Sequence, residues 1–573
     1  MPLSISLRKG LTTPDSTIIA TKYNVTVKTD EQVELSFTCT WDEKNSSNFP
    51  VNVEKRYVVL RGLSGIYIYG IYERLKGWPD LDFVQTRIVF KPDGDKFKYM
   101  ALTDERQRVM PSAEDRSNGT PLDYKEAVKL STNTSNPDLI GEVDDKYQYS
   151  AQYKDSRVHG WISDDPAVGL WMITPSNEFK NGGPTRQRMH SHTGPTMLNV
   201  VSCGHYAGAD LEIQFRNGEP WKKVFGPVLV YLNSGDKASA WLDAKNQMLT
   251  EVGKWPYDFP ASVDHLKSSH RGAVSGQLQV IDRFAQNGSV AASNAQVGLA
   301  APGKAGSWQR ESKGYQFWVV ADGTGNFVIK NVRPGTYNLY AFIPGFIGDY
   351  VYNTSVIVES GGEISLGVLT YKPPRDGPTL WEIGVPDRTA AEYFIPDPDK
   401  DLRNYLVDKL SDQKYRQYGL WRRYTELYPD EDLSFTINQN DYSSDWFFAH
   451  VTRKAGGNQY LSATWKINFS LDDVKATATY KLRLALASAH AADLEVRVNG
   501  QIVDPPLFKT GQIGKENAIA RHGVQGLYWL FHIDVPGGKL VTGNNTVYLT
   551  QAIATGPFHG VMYDYIRLEG PAT

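Results

Sequence analysis

Apolar and polar residues alternate along most of this chain, and a period of two is typical of half-buried β-strands. Four such runs follow one another near the N-terminus: YNVTVKT, QVELSFTCTW, RYVVLRG and GIYIYGIYERL. Helical periodicity is rare. It occurs over Ser239–Val252, where Trp241, Ala244 and Met248 recur at helical spacing and Gly253 follows as a stop signal. The pattern therefore predicts an all-β protein with one prominent helix.

Two breaks in this pattern divide the chain into three units. The first break lies near Pro256–Lys267, and the second is the string PPRDGP, in which proline and glycine interrupt the strands. We expect three antiparallel β-sandwiches: a large one at 1–262, a smaller one at 263–374 and a jelly roll at 375–573. In the third unit, LRNYLVDKLSDQKYRQYGLWRRYTELYP predicts short helices. Its aromatic residues could form either a sugar-binding surface or a buried core.

Composition and charge narrow the function classes. The 573 residues carry 61 basic and 64 acidic side chains, a formal net charge of -3, so the whole protein has no field that would attract nucleic acid or an anionic membrane. An aromatic content of 12% excludes a disordered, collagen-like or coiled-coil chain. No apolar stretch is long enough for a transmembrane helix. Arg8 and Lys9 interrupt the apolar residues at the N-terminus, which does not resemble a signal peptide.

Motifs for metals and cofactors are missing from the sequence. It contains no HExxH, no GxxxxGK[ST] and no EF-hand loop. The two cysteines, Cys39 and Cys203, cannot build a zinc site or a disulfide framework, although they could pair with each other. We therefore expect neither a metal nor a cofactor.

The most informative basic residues are a lysine and a histidine. Lys146 lies in GEVDDKYQYS on a predicted strand; such a lysine is usually solvated, but in a cleft a lowered pKa can make it a base. His205 follows the predicted strand at 197–201, a position typical of catalytic side chains and also of structural histidines. His190 and His192 lie in a Gly- and Pro-rich stretch and are predicted to be exposed.

Two arginines and two carboxylates offer further possibilities. Arg106 and Arg108 are two residues apart, so on a strand both would point to one face and could clamp a carboxylate or form a salt-bridged surface. Glu142 and Asp144 could instead act as the paired carboxylates of a glycoside hydrolase. The residues alone leave these alternatives open.

Long strings of this sequence resemble plant rhamnogalacturonan lyases of polysaccharide lyase family 4. They include GEVDDKYQYS, SHTGPT, GHYAGADL, GLAAPGKAGSWQRESKGYQFW, PPRDGPTLWEIGVPDRTAAEYF and NAIARHGVQGLYW, and they extend over nearly the whole chain. The resemblance implies a catalytic β-sandwich, a fibronectin-type-III-like module and a carbohydrate-binding-like jelly roll. It also implies cleavage of the rhamnose–galacturonate bond of rhamnogalacturonan I, a pectin, by β-elimination, which leaves an unsaturated galacturonate.

The resemblance assigns roles to individual residues. By motif, the family's catalytic lysine falls on Lys146, expected to be the base, and its histidine on His205, expected to be the acid toward the rhamnose oxygen. Arg106 and Arg108 are the expected carboxylate-binding residues. The implied partner is an acidic polysaccharide, with no nucleic acid and no membrane, and the implied protein is an extracellular, cell-wall monomer.

The sequence departs from the family in two places. Fungal relatives carry tyrosines where this chain has Leu198 and Val200, and Tyr147 or Tyr206 could compensate. Family-like sequence starts only around Lys22, which predicts an N-terminally truncated first sandwich. The alternative function is therefore a catalytically impaired pectin-binding protein of the same fold.

Overall fold

The computed structural model describes residues 3–8, 16–17, 19–44, 49–123, 126–282, 284 and 288–571. Strands dominate this part of the chain, which confirms the all-β prediction. The predicted helix is present at Lys237–Lys254, where the Asp236 side chain caps the first turn by accepting from the Ser239 N–H at 2.8 Å. The helix continues through Gly253, so this glycine is not the stop that its position predicted. The other α-helices are short: Ala113–Ser117, Arg423–Leu427 and Tyr442–Asp445.

The first unit consists of two antiparallel sheets that face each other. The larger sheet contains, in spatial order, Lys22–Lys28, Gln32–Cys39, Asn52–Leu60, Gly65–Arg74, Trp221–Ser234, Ala167–Ile173, Val158–Asp164, Phe97–Ala101 and Gln107–Val109. The smaller sheet contains Ser191–His192, Thr196–Cys203, Leu81–Phe90, Leu3–Arg8 and Ser16–Thr17, with Ile213–Phe215 also paired to Leu81–Phe90. Short strands flank the sandwich: Thr120–Pro121, Val128–Lys129, Val143–Asp144, Ser150–Gln152 and Gln187–Met189.

Strand Gly65–Arg74 explains how this unit is held together. Because successive side chains of a strand point to opposite faces, Ile68 packs with Phe83 in the core between the two sheets. Tyr67 points the other way and packs with Trp241 of the long helix. The strand is buried on both faces, which is why its sequence is apolar at nearly every position.

The second and third units are also pairs of sheets. The second contains Gly272–Val280, Val290–Ala291, Asn326–Val332 and Glu363–Tyr371 in one sheet, and Gln296–Ala300, Phe317–Val320, Gly335–Phe342, Tyr350–Val351 and Val356–Val358 in the other. The third contains Thr379–Gly384, His450–Val451, Thr479–Ala492, Ile513–Lys515, Trp529–Pro536 and Gly560–Glu569, facing Ser434–Thr436, Ala463–Leu471, Leu494–Val498, Phe508–Lys509 and Gly543–Gln551. Two pairs, Gly272–Val280 with Glu363–Tyr371 and Ser434–Thr436 with Ala463–Leu471, are parallel. The domain boundaries at residues 262 and 374 stay a prediction.

The aromatic segment at the start of the third unit belongs to a core. It contains 3-10 turns at Val407–Lys409, Ser411–Arg416 and Leu420–Arg422. Tyr418 and Tyr424 are fully buried in the core of the third sandwich. Of the two possibilities that the sequence left open, the structure therefore supports the buried core over the exposed sugar-binding surface.

The structure also shows whether the two cysteines pair and whether a helix could span a membrane. Cys39 and Cys203 are free thiols, so they do not form the disulfide that the sequence allowed. Across the described ranges, no helix combines the length and apolarity needed to span a membrane.

Candidate active site

Lys146 begins a 3-10 helix, Lys146–Tyr149, and not a strand as predicted. The cause is a capping box: the Asp145 carboxylate accepts from the Tyr147 N–H at 2.9 Å, and the Gln148 side chain accepts from the Asp145 N–H at 3.0 Å. These contacts turn the backbone and leave the Lys146 side chain 28% exposed. Its Nζ lies 3.4 Å from Glu126 Oε1 and 5.2 Å from the centre of the Tyr147 ring.

The environment of Lys146 favours its neutral form. Burial lowers the pKa of the amine, and the nearby Arg521 guanidinium lowers it further. Glu126 and Asp145 act in the opposite direction but do not cancel the effect of burial. Arg521 is therefore the neighbouring cation that helps to lower the pKa of Lys146.

His205 lies two residues beyond strand Thr196–Cys203, as the sequence predicted. Its backbone N–H donates to Cys203 Sγ at 3.0 Å, and its half-buried ring stands nearly perpendicular to the Tyr147 ring, 5.9 Å away. Nδ1 is buried and has no hydrogen-bond partner within the described part of the chain. Burial, together with Arg521 and Lys146, lowers the pKa of the imidazole well below its usual range. These surroundings therefore favour the neutral form of His205 in the free protein.

Tyr147 and Tyr206 have different roles in this arrangement. The Tyr147 ring lies close to both candidate residues: Nζ of Lys146 is 5.2 Å from the ring centre, and the centre of the His205 ring is 5.9 Å away. The Tyr206 hydroxyl is buried and donates to Ser150 Oγ at 2.8 Å, and burial raises its pKa to about 12. Tyr206 is therefore a neutral, buried phenol that contributes to the packing of the site.

Arg521, from the third unit, completes the site and was missed by the sequence reasoning. Its guanidinium lies 4.4 Å above the Tyr147 ring and donates to the backbone carbonyl of His205. The next residue, His522, contacts the Asp145 carboxylate at 3.2 Å. The third sandwich therefore supplies a cation to a site whose other residues belong to the first.

Arg106 and Arg108 do not form the predicted carboxylate clamp. Arg106 lies just before strand Gln107–Val109, is buried, and donates to the Ser150 carbonyl at 2.5 Å. Arg108 makes a bidentate ion pair with Glu142, at 2.5 and 2.9 Å. The two guanidiniums thus bind different partners, because only Arg108 belongs to the strand.

We predict that Arg108 contributes mainly to folding. Arg108→Ala leaves Glu142, which is fully buried, as an unpaired carboxylate, so the free energy of unfolding should fall by roughly 3–5 kcal/mol. Urea denaturation measures this change. The double variant Arg108→Met, Glu142→Gln removes both charges and should recover most of the loss. A single variant with wild-type stability and a raised KM would assign Arg108 to the substrate instead.

The paired-carboxylate alternative finds no support in the geometry. The Glu142 carboxylate is paired with Arg108. The Asp144 carboxylate accepts hydrogen bonds from the Tyr149 hydroxyl at 2.5 Å and from Thr193 Oγ1 at 3.0 Å. Asp144 also forms an ion pair with Arg116. Both carboxylates are buried. They are held as structural acceptors and are not open to a sugar.

The two histidines predicted to be exposed are not. His190 is 3% exposed and packs edge-on against the His159 ring at 4.8 Å. His192 is half-buried, and burial lowers its pKa to about 4. The prediction was wrong because Ser191–His192 pairs with Thr196–Cys203 and becomes the end strand of the smaller sheet.

Leu198 and Val200, the two positions predicted to depart from the family pattern, belong to strand Thr196–Cys203. Both are buried in a small apolar cluster with Val89, Met189 and Cys203.

Among the described residues, no group of three or more His, Cys, Asp or Glu side chains is arranged to hold a metal ion.

Comparison with protein-family models decides the family. A model described as the rhamnogalacturonate lyase family matches residues 8–143, and models of polysaccharide lyase family 4 match residues 292–366 as its domain II and 379–568 as its domain III. The chain belongs to polysaccharide lyase family 4. The first match begins at residue 8, earlier than Lys22, where we expected family-like sequence to start. Lys146 and His205 lie between the first two matched ranges, so these matches assign them no role.

Individual relatives of this family 4 chain are found in bacteria and fungi. The rhamnogalacturonate lyase of Dickeya dadantii (strain 3937) is 26% identical over 559 residues, 96% of this chain and 82% of the relative. "Probable rhamnogalacturonate lyase B" of Aspergillus flavus is 24% identical over 548 residues, which cover 84% of this chain and 76% of the relative. A GH36 alpha-galactosidase structure from Geobacillus stearothermophilus aligns over 48% of this chain and 34% of the alpha-galactosidase chain, at 10% identity. Its TM-score of 0.25 is too low to indicate a shared fold.

Proposed function

We propose that the chain is a rhamnogalacturonan endolyase, which cleaves the rhamnose-(1→4)-galacturonate bond of rhamnogalacturonan I by β-elimination. The observation that carries the proposal is the convergence of Lys146 and His205 on the Tyr147 ring, beside the Arg521 guanidinium. Relatives named rhamnogalacturonate lyase support the same substrate. The proposed partner is this acidic polysaccharide, the proposed location is extracellular, and a monomeric state stays a prediction.

The reaction needs one proton to leave and one to be delivered. A base takes the proton from C5 of galacturonate, the electron pair forms the double bond between C4 and C5, and the bond from C4 to the glycosidic oxygen breaks. The departing rhamnose oxygen receives the second proton. Because the C5 proton is weakly acidic, the charge that develops on the carboxylate must be stabilised. Arg521 provides positive charge at this point, and Lys146 adds to it once its amine has taken the C5 proton.

Lys146 is the proposed base and His205 the proposed acid. The lowered pKa of Lys146 increases the fraction of neutral amine that can accept the C5 proton. Burial and nearby cations favour the neutral form of His205 in the free protein, but a bound galacturonate carboxylate adds negative charge among those cations. Substrate binding therefore raises the pKa of His205 and lets the imidazole hold the proton that it donates.

The appearance of unsaturated uronate tests this function. Purified protein is incubated with rhamnogalacturonan I or with homogalacturonan, and the ultraviolet absorbance of the conjugated double bond is followed. We expect absorbance to rise with rhamnogalacturonan I alone. Folded protein that binds the polymer without any rise would support the impaired pectin-binding alternative and overturn the enzyme proposal.

A Glu126→Gln variant tests which residue is the base. Glu126 raises the pKa of Lys146, so its loss lowers that pKa further. If neutral Lys146 is the base, the acidic limb of the kcat/KM profile moves to lower pH. If protonated Lys146 is the acid, the basic limb moves to lower pH instead, and the proposed roles are reversed. Asp155→Asn is the control, since Asp155 pairs with Lys154 and should leave both limbs in place.

A further inference from the structure

A groove of about 450 Å³, separate from the candidate active site, lies between the first and second sandwiches. Neither Lys146 nor His205 lines it. Its walls come from the first unit, which contributes Lys180 and Arg157, and from the second, which contributes Trp318 and Val320. The groove is therefore a separate cleft, formed only where the two units meet.

Lys180 is the unusual residue in this groove. It is 3% exposed, yet within the described residues its ammonium group has no hydrogen-bond acceptor and no ion pair. Its Nζ lies over the face of the Tyr153 ring, 4.5 Å from the ring centre. Burying an ammonium without an anion costs several kcal/mol. A lining cation of this kind points to a negatively charged ligand that enters from outside.

The surroundings of Lys180 contain further cations. Burial, together with the nearby Arg188 and Arg157, lowers the pKa of Lys180 to about 7, and an anion bound in the groove would favour the charged form of the amine. The carboxylate that also lines the groove, Glu178, is occupied by the Arg271 guanidinium at 2.8 and 2.9 Å. It is therefore not the partner that Lys180 lacks.

The opposite wall suits a sugar ring. Trp318 is half-buried, and Val320, at the end of strand Phe317–Val320, is 56% exposed. Half-exposed aromatic and aliphatic surfaces pack well against the C–H face of a pyranose, while the cations opposite can bind a carboxylate. One sugar that carries both features is a uronate.

We infer that this groove binds a galacturonate residue of the polysaccharide outside the catalytic site, with the carboxylate at Lys180 and the ring against Trp318 and Val320. The inference rests on the proposed function, because that substrate carries a carboxylate on its galacturonate residues. The groove would hold a long chain at the junction of the first two sandwiches while another part of it is cleaved. It would contribute to binding and not to the chemical step.

Charge variants of Val320 test this inference without disturbing the core. Val320→Glu places a carboxylate on the exposed groove wall and should raise the KM for long rhamnogalacturonan I several-fold, with kcat unchanged. Val320→Lys, the matched control at the same position, should lower that KM. Both variants should cleave a short oligosaccharide that fills only the catalytic site at the wild-type rate. Identical KM values for the two variants on the long polymer would overturn the inference.

Lys180→Met tests the buried cation itself. Because the variant loses a charge-assisted hydrogen bond to the carboxylate, the KM for the long polymer should rise roughly ten-fold or more, with no change for the short oligosaccharide. Lys223→Met is the matched control, because Lys223 is equally buried but donates to the Gly314 carbonyl and lines no part of this groove. Equal effects on long and short substrates would overturn a separate site.

A binding measurement separates failure of the groove from failure of the proposed activity. Calorimetry with saturated galacturonate oligosaccharides, on the full chain carrying Lys146→Ala, should detect binding that Lys180→Met weakens roughly ten-fold. If the wild-type protein forms no unsaturated product but this difference is found, the proposed activity fails and the groove stands. If inorganic phosphate competes as well as the oligosaccharide, the groove is a simple anion site and the sugar assignment is overturned.

Discussion

Lys146→Ala is expected to lower kcat on rhamnogalacturonan I by roughly a hundred- to ten-thousand-fold, the usual contribution of a positioned base. The physical reason is that burial and Arg521 lower the pKa of the Lys146 amine, which lies beside the Tyr147 ring. The lowered pKa increases the fraction of neutral amine that can accept the proton. The rate of unsaturated uronate formation measures the loss. Folding should be little affected, because the Lys146 side chain is 28% exposed and its ion pair with Glu126 is long, at 3.4 Å, and partly open to solvent.

Lys154→Ala is the matched control for this change. Lys154 is a half-exposed lysine of the same unit that pairs with its neighbour Asp155. It should keep the wild-type kcat. A Lys146→Ala protein that retains near-normal kcat, with an unchanged melting temperature, would remove Lys146 from the mechanism.

His205→Asn is expected to lower kcat by a similar factor, because the asparagine cannot supply the proton that the rhamnose oxygen needs. Stability should change little, since among the described residues Nδ1 of His205 has no partner to lose, and the backbone contacts to Cys203 and Arg521 remain. Steady-state kinetics and thermal melting measure the two effects separately.

The double variant Lys146→Ala, His205→Asn sharpens this test. Two residues that act in one proton-transfer unit give losses that do not add, so the double variant should be little worse than the poorer single variant. Fully multiplicative losses would mean that the two side chains act in independent steps. A His205→Asn enzyme with wild-type kcat would exclude His205 as the acid.

Much of the fold could be predicted because its causes are local. The period-two alternation of GIYIYGIYERL predicts strand Gly65–Arg74, and helical spacing predicts Lys237–Lys254 to within two residues at each end. The position of His205 after a buried strand was likewise readable from sequence. Lys146 was assigned to a strand although D-K-Y-Q carries the signature of a capping box, which was the available signal for the 3-10 turn.

The parts that could not be predicted depend on contacts between distant residues. Nothing near Arg521 in the sequence indicates that it reaches Tyr147 and His205 in another unit. The burial of His190 follows from strand pairing in the smaller sheet and not from its Gly- and Pro-rich surroundings. The separate fates of Arg106 and Arg108 depend on where strand Gln107–Val109 begins, a boundary that periodicity locates poorly.

The most direct test of the central claim, that this site abstracts the C5 proton of galacturonate, uses rhamnogalacturonan I deuterated at C5. New chain ends are counted as reducing sugar, and deuterium released to solvent is measured in the same reaction. β-Elimination predicts that each new reducing end is matched by one unsaturated galacturonate at the new non-reducing end and by one released deuteron, and that Lys146→Ala abolishes all three signals. New reducing ends that are matched by saturated galacturonate at the non-reducing end, with its deuteron retained, would contradict the account.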